Sequence, residues 1–247
     1  MTTRVAVVGA NGRMGTLASR IVEQTDGFDL VARLGSADDL ARLRDADLVV
    51  DFTIPQVSPH IVEAAVSNGV SVLVGTSGWT QERIAPVATT VTANPELAAV
   101  FIPNFSVGSV LATQFSAMAA RYFESIEILE AHHEAKVDSP SGTAIRTAEL
   151  IGAARSELGP VLAPHVDQRA RGQQVASVPI HSLRMRGVLA KQDVLFGGTD
   201  ELLTVSHEVT SHEAYAAGIL LALKAMPTLR GVIVGLDKLL NPEPQHS

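Results

Sequence analysis

The spacing of apolar positions changes along the chain, and the change divides it. Arg4 to Val8 is an apolar, β-rich run that ends in Gly9-Ala10-Asn11-Gly12-Arg13-Met14-Gly15 and leads into a helix to about Gln24. Asp29 to Leu34 predicts a second strand, Asp47 to Phe52 a third, Val70 to Val74 a fourth and Ala98 to Ile102 a fifth. Between them, His60 to Asn68, closed by Gly69, and residues 83–93 read as helices. Strands alternating with helices predict an α/β fold with a doubly wound parallel sheet. Its loops follow the C-terminal ends of strands, the side on which open sheets of this kind bind ligands.

After Ser106 the rhythm differs. A helix is predicted from Val107 to about Phe123, a strand over Ser125 to Leu129 with Ile126 and Ile128 on one face, and a helix from Thr143 to Leu158. Gly159 to Gln174 is looser, with Pro160, Pro164 and Gly172. From Val175 the pattern alternates, with Val178, Ile180, Ser182 and Arg184 on one face. Val194 to Phe196 and Leu202 to Val205 flank Gly197-Gly198-Thr199-Asp200 as a hairpin. This predicts an α+β domain with an open mixed sheet, one face of which is left for another subunit. Ser211 or His212 starts a helix to about Met226, and Gly231 to Leu236 is a last strand, both returning to the first sheet. The expected division is a dinucleotide-binding domain over 1–106 and 212–247 and a substrate-binding and oligomerisation domain over 107–211. The hinges are expected near Ser106 and Ser211.

Two stretches carry chemistry. The first is the strand, glycine turn and helix at the start, the opening of a dinucleotide-binding unit in which the backbone approaches a pyrophosphate at a helix N-terminus. The spacing is Gly-x-x-Gly-x-x-Gly, with Asn11 where the usual pattern has its middle glycine. A carboxylate at the end of the second strand would grip the ribose 2′-OH of NAD, but Gly35-Ser36 stands there and Asp38 and Asp39 come late. A 2′-phosphate is then not repelled, and Arg13 or Arg33 can pair with it, so NADPH is as well suited as NADH.

The second stretch is Glu130 to Ala144, which gathers His132, His133, Lys136 and a Ser-Gly-Thr turn. Pro140 stops any earlier helix, and Ser141 is the predicted N-cap of the next. The histidines and the lysine are expected on a strand-to-helix loop, with helix N–H groups pointing at whatever that loop holds, a site for a carboxylate or phosphate. His132 and Lys136 can each deliver a proton. Adjacent His132 and His133 cannot point the same way on an extended chain, so one is free for chemistry while the other binds. Each part alone is commonplace, since surface histidines and loop lysines are usually just solvated. The combination is not.

Composition narrows the partners. Of 247 residues 46% are hydrophobic, enough for a packed core, and the net charge of −7 argues against nucleic acid or an anionic membrane as partner. With no cysteine, thiolate metal sites and cysteine nucleophiles are excluded. Met1 to Arg4 lead straight into a strand without a leader pattern, and apolar runs fall short of the ~20 residues that span a bilayer, so a cytoplasmic protein is expected. His207-Glu208 and His212-Glu213 stand five apart, not the four that would place both imidazoles on one helical face, and no metal is expected. Trp79 and Phe105 read as packing near the cleft, and Asp237-Lys238 as solvated surface.

Taken together, the glycine turn, Asp51-Phe52-Thr53, Gly75-Thr76-Ser77-Gly78, Pro103-Asn104-Phe105-Ser106, the central His-His-x-x-Lys-x-Asp-x-Pro-Ser-Gly-Thr-Ala and Arg184 resemble the dihydrodipicolinate reductase family, end to end. The resemblance implies a Rossmann-type domain plus a substrate domain, a homotetramer, and reduction of 4-hydroxy-tetrahydrodipicolinate, a small dicarboxylate of lysine and diaminopimelate synthesis, by NADPH or NADH. It implies His132 as proton donor with Lys136 assisting, and His133, Gly142 and Thr143 as substrate ligands. It puts the cofactor on Gly9, Ala10, Asn11, Gly12, Arg13 and Met14, on Gly75, Thr76 and Ser77, and on Ile102, Pro103, Asn104 and Phe105. The family's Gly-Thr-Thr-Gly is Gly-Thr-Ser-Gly here, which keeps a hydroxyl. The rival readings are another small-molecule dehydrogenase on the same scaffold and a nucleotide-sensing protein without turnover.

Overall fold

A computed structural model describes residues 2–35 and 38–240. The chain begins β1 (Thr3–Val8), α1 (Arg13–Glu23), β2 (Phe28–Leu34), β3 (Leu48–Asp51), α2 (Ser58–Ser67), β4 (Ser71–Val74), α3 (Gln81–Ala93) and β5 (Ala98–Phe101). It continues α4 (Val107–Ala119), β6 (Ser125–His132), α5 (Gly142–Ala154), β7 (Gln173–Val175), β8 (Val178–Arg184), β9 (Ala190–Gly198) and β10 (Glu201–Val209). Last come α6 (Ala216–Ala225), β11 (Gly231–Val234) and α7 (Asp237–Leu240). Contacts group Met1–Val107 with His212–Ser247 as one unit and Gly108–Ser211 as a second.

The first unit holds a sheet of order β11-β5-β4-β3-β1-β2, parallel throughout. Its inner strands are apolar runs buried on both faces, as parallel strands covered by helices must be. The chain leaves β1 to one side and returns to its other side at β3, so the switch of direction lies between these two strands. Backbone bonds then step across the loops beyond the strand ends: Phe52 N–H to the Val8 carbonyl at 2.9 Å, Gly75 N–H to Asp51 at 2.9 Å, and Ile102 N–H to Val74 at 2.8 Å.

The second unit is a mixed sheet of order β10-β9-β6-β8-β7, with β6 parallel to β8 and antiparallel to β9. Ile126, Ile128, Ile180, Val194 and Phe196 of this sheet pack with Ala144, Ala148 and Ile151 of α5. Each such side chain moved fully out of water contributes about 1.5–3 kcal/mol for Val, Ile or Phe.

Several boundaries differ from the sequence expectation for identifiable reasons. The helix expected to reach Phe123 stops at Ala119, because the Arg155 guanidinium takes the carbonyls of Ala120 and Phe123. α5 ends at Ala154 rather than Leu158, and the chain turns through Gly159 at φ +86°. α2 begins at Ser58 with Pro59 in its first turn, and α3 at Gln81 behind a Thr80 cap, both earlier than expected. The helix expected from Ser211 or His212 is a 3-10 turn over His212–Tyr215 followed by α6. β7 and a 3-10 turn over Leu40–Asp45 were not anticipated. The last strand ends at Val234, and Asp237 opens the short α7.

Candidate active site

Register turns the second sheet into rows across β8, β6 and β9. On the face that carries the core, Ile180, Ile128 and Val194 lie side by side, then Ser182, Glu130 and Gln192, then Arg184, His132 and Ala190. The face runs from an apolar row, through a buried polar row, to a half-buried row bearing a guanidinium and an imidazole. His132 is therefore the last residue of β6, held by pairing with both neighbours, and not in the loop where the sequence reading put it. His133 and Lys136 do lie in the loop, where the Lys136 N–H returns to the His133 carbonyl at 3.0 Å.

Glu130 is 0% exposed. Its carboxylate meets His132 Nδ1 at 2.6 Å, accepts from both Arg184 Nη atoms at 2.9 Å and accepts the Ser141 N–H at 3.2 Å. Burial pushes its pKa up, but the hydrogen bonds from His132 and Arg184 outweigh that and bring it down from 4.5 to about 2. Arg184 also donates to the Asp138 carbonyl at 2.6 Å, tying down the loop that carries Lys136. Lys136 Nζ sits 2.8 Å from Asp138 Oδ1. Burial alone would raise the Asp138 pKa, but the lysine's hydrogen bond and charge lower it overall.

α5 starts from Ser141, whose hydroxyl accepts the Ala144 N–H at 3.2 Å and whose carbonyl accepts Ile145 at 3.0 Å, the cap the sequence predicted. Gly142 opens the helix with clear space around it: a Cβ there would meet no heavy atom within 4 Å. Half-buried Thr143 follows. The positive end of a 13-residue helix thus lies one residue beyond the Glu130 contact.

The loops after β1, β3 and β4 meet at one edge of the first unit's sheet. Gly9 has φ +77°, and a Cβ on it would stand 2.4 Å from the Phe52 carbonyl oxygen. A Cβ on Gly15 would stand 2.1 Å from the Gly9 oxygen, and one on Gly75 2.1 Å from the Phe52 ring. At Gly9 and Gly15 the clash is with backbone and only glycine fits, while at Gly75 it is with the Phe52 ring, which lies tilted against Phe105 at 5.4 Å. Ala10 and Thr76 are buried, Ile102 is 0% exposed, and Asn104 Oδ1 accepts the Ser106 N–H at 2.9 Å. Asn11, Gly12, Arg13, Ser77 and Pro103 are exposed, and Met14 is half-buried. Gly12 caps α1 by backbone alone, with no side-chain bond to its first turn, so nothing in the cap competes with an incoming anion. A hollow of about 410 Å³ between Asn11, Arg13 and Thr16 on one side and His212 and Glu213 on the other opens beside this turn.

Of the two cations suited to a 2′-phosphate, Arg33 is paired with Glu23 at 2.6 Å and Arg13 is exposed. Asp38 accepts the Gly35 N–H at 2.7 Å and Asp39 caps the following turn through Ala41, so backbone amides engage both carboxylates. Ser36, on which the choice of dinucleotide was argued, lies outside the described residues.

Sequence reasoning gave Glu130 and Asp51 no role. Asp51 is 0% exposed. It accepts from Thr53 N–H at 2.9 Å, from the Thr53 hydroxyl at 2.6 Å and from the Ser58 hydroxyl, which in turn accepts Trp79 Nε1 at 2.9 Å. The signal for Glu130 was present: two residues beyond Ile128 it falls on the buried face, and a carboxylate there demands cationic partners. Among the described residues no group of three or more His, Asp or Glu is placed to hold a metal, and no helix is long and apolar enough to cross a membrane.

A doubly wound parallel sheet with a glycine turn beside its switch point, joined in one chain to an α+β unit bearing an imidazole–carboxylate–guanidinium cluster, has the layout of a Rossmann-type oxidoreductase. Residues 3–105 match the family model for dihydrodipicolinate reductase, N-terminus, and residues 108–240 that for its C-terminus. The chain is 62% identical to 4-hydroxy-tetrahydrodipicolinate reductase of Clavibacter sepedonicus over 98% of this chain and 87% of that one. It is 45% identical to the enzyme of that name from Streptomyces griseus, over 96% and 98%. The dipicolinate-bound dihydrodipicolinate reductase from Paenisporosarcina sp. TG-14 superposes with TM-score 0.82 at 28% identity, covering 96% of this chain and 99% of that one. The apo scyllo-inositol dehydrogenase of Lactobacillus casei, at 14% identity and TM-score 0.59 over 97% and 92%, shares the fold alone. The chain belongs to the dihydrodipicolinate reductase family, NAD(P)H-dependent oxidoreductases of lysine and diaminopimelate synthesis. The resemblance read from the motifs is borne out.

Proposed function

We propose that this chain reduces 4-hydroxy-tetrahydrodipicolinate to tetrahydrodipicolinate in the cytoplasm, with NAD(P)H as hydride donor and the 4-hydroxyl leaving as water. The carrying observation is His132 standing at the end of β6 beside the head of α5, within one hydrogen-bonded cluster. A cation and a helix start side by side suit a ring with two carboxylates. The dipicolinate-bound relative, whose ligand is a pyridine dicarboxylate, supports that substrate class.

In this reading Gly142 and Thr143, at the positive end of α5, and His133 hold the carboxylates. His132 delivers a proton to the reduced ring, and Lys136, steadied by Asp138, assists. When bound, the dinucleotide supplies the hydride. Gly9 to Met14, Gly75 to Ser77 and Ile102 to Phe105 hold it, with the pyrophosphate on the uncapped first turn of α1. Exposed Arg13 makes NADPH at least as good a donor as NADH. The same reading includes a homotetramer, since the outer face of the second sheet leaves Leu183 45% exposed; sedimentation as a monomer at micromolar concentration would remove that part.

The test is turnover of His132→Gln and Lys136→Cys, made separately and assayed with synthase-generated substrate. Each is expected to lose on the order of 10²-fold or more in kcat. Near wild-type rates in both would end the assigned roles, and dinucleotide binding without turnover in the unmodified chain would favour a sensor.

A further inference from the structure

Glu130 has no part in the roles above, yet four donors converge on it. We infer that Glu130 is the positioning residue for proton delivery: it fixes the His132 imidazole by Nδ1, so the proton offered is always the one on Nε2, and it sets the head of α5 in the same frame. This rests on the reading of His132 as proton donor.

An ionised carboxylate only accepts, so the ring nitrogen 2.6 Å from Glu130 Oε2 carries a hydrogen in both the charged and the neutral ring. Arg184 keeps the carboxylate ionised through its two 2.9 Å bonds and so denies it the proton of His132. Once Nε2 has given its proton away, the ring is left in the tautomer it already had and need not turn. An imidazole in water is free to hold its hydrogen on either nitrogen; this one is not. The fourth donor, Ser141 N–H, belongs to the residue that caps α5. One buried side chain thus fixes both the proton donor and the helix start that faces the substrate's carboxylates. A fully buried position on a β-strand, between Ser182 and Gln192, leaves it little freedom to move. The arrangement follows the rule that a catalytic imidazole is held in orientation by a carboxylate on its far nitrogen.

The first measurement needs no variant. Long-range ¹H–¹⁵N correlation on the full chain with labelled histidine is expected to show neutral His132 with its hydrogen on Nδ1. A neutral ring bearing it on Nε2 would overturn the inference outright. The second is a cycle of Glu130→Gln in the wild-type and in the His132→Gln background, with thermal melting as the check on folding. In the wild-type background kcat is expected to fall on the order of 10- to 100-fold, with KM within about threefold. In the His132→Gln background the further loss is expected to stay under about threefold. Equal losses in both backgrounds would show that Glu130 acts on the fold alone. If Glu130→Gln does not fold, the wild-type tautomer decides by itself. Wild-type turnover in His132→Gln alone would remove the donor reading while leaving the tautomer as an independent report on the clamp.

Discussion

Asp51 and Glu130 are both carboxylates with no exposed surface at or near the end of a strand, one in each unit, and their surroundings differ in kind. Asp51 is met by one amide and two hydroxyls, all neutral, and serves to shape the loop between β3 and α2 and to place Trp79 through Ser58. Glu130 is met by a guanidinium, an imidazole and a helix-cap amide. Neutral donors shape a turn without leaving a proton to exchange. A permanent cation among the donors does the same work and also keeps the carboxylate ionised, so that the carboxylate sets which nitrogen of the imidazole carries a hydrogen. The first arrangement suits a wall that backs a glycine turn, the second a place where protons move.

The sharpest way to break the contrast is Arg184→Met. It strips Glu130 of its permanent cation, and a buried charge left without its partner costs about 3–5 kcal/mol. Chemical denaturation is expected to show that loss, and hydrogen exchange to place it in β6, β8 and α5. An unchanged midpoint would mean the pair contributes nothing net.

Acid gives the next largest effect. Because the folded pKa of Glu130 is depressed from 4.5 to about 2, its contribution is complete above 4.5 and is lost as pH falls through that window. The loss is on the order of 2–3 kcal/mol, and thermal melting from pH 6 down to about pH 2 is expected to lose it over that range. Glu127 and Asp138, also lowered overall against the upward push of burial, add in the same direction. Glu130→Gln is expected to flatten the acid limb; an identical limb would assign it to other groups.

The smallest effect is expected at Asp51→Asn. The Ser58 hydroxyl can rotate to accept from the new amide, so the cost stays near 1 kcal/mol. Trp79, the only tryptophan, reports it: its emission is expected to shift little because Ser58 still accepts its N–H. A loss as large as that of Arg184→Met would erase the distinction between the two shells.

The first sheet was legible because its strands are short apolar runs punctuated by glycine, and period and punctuation agree. The family's motifs were legible for the same reason, being contiguous. What escaped was set by contacts distant in sequence. Nothing local tells α4 to stop at Ala119, since the group that takes the carbonyls of Ala120 and Phe123 just beyond it is Arg155. His132 was read as a loop residue because Glu130 breaks the apolar alternation, and only pairing with Ala190 and Arg184 extends the strand past it. Asp51 looked like the end of a strand, and its partner Ser58 was missed with the helix start it occupies.

The alternation along β6 has a consequence for chain length. Ile126, Ile128, Glu130 and His132 share a side only because the count between them is even. Removing one residue from this segment, whatever its identity, would send the imidazole to the opposite surface and bring side chains of the other face inward in its place. Surface loops elsewhere tolerate a gained or lost residue. Here the arithmetic of the backbone is as binding as the chemistry of the side chains.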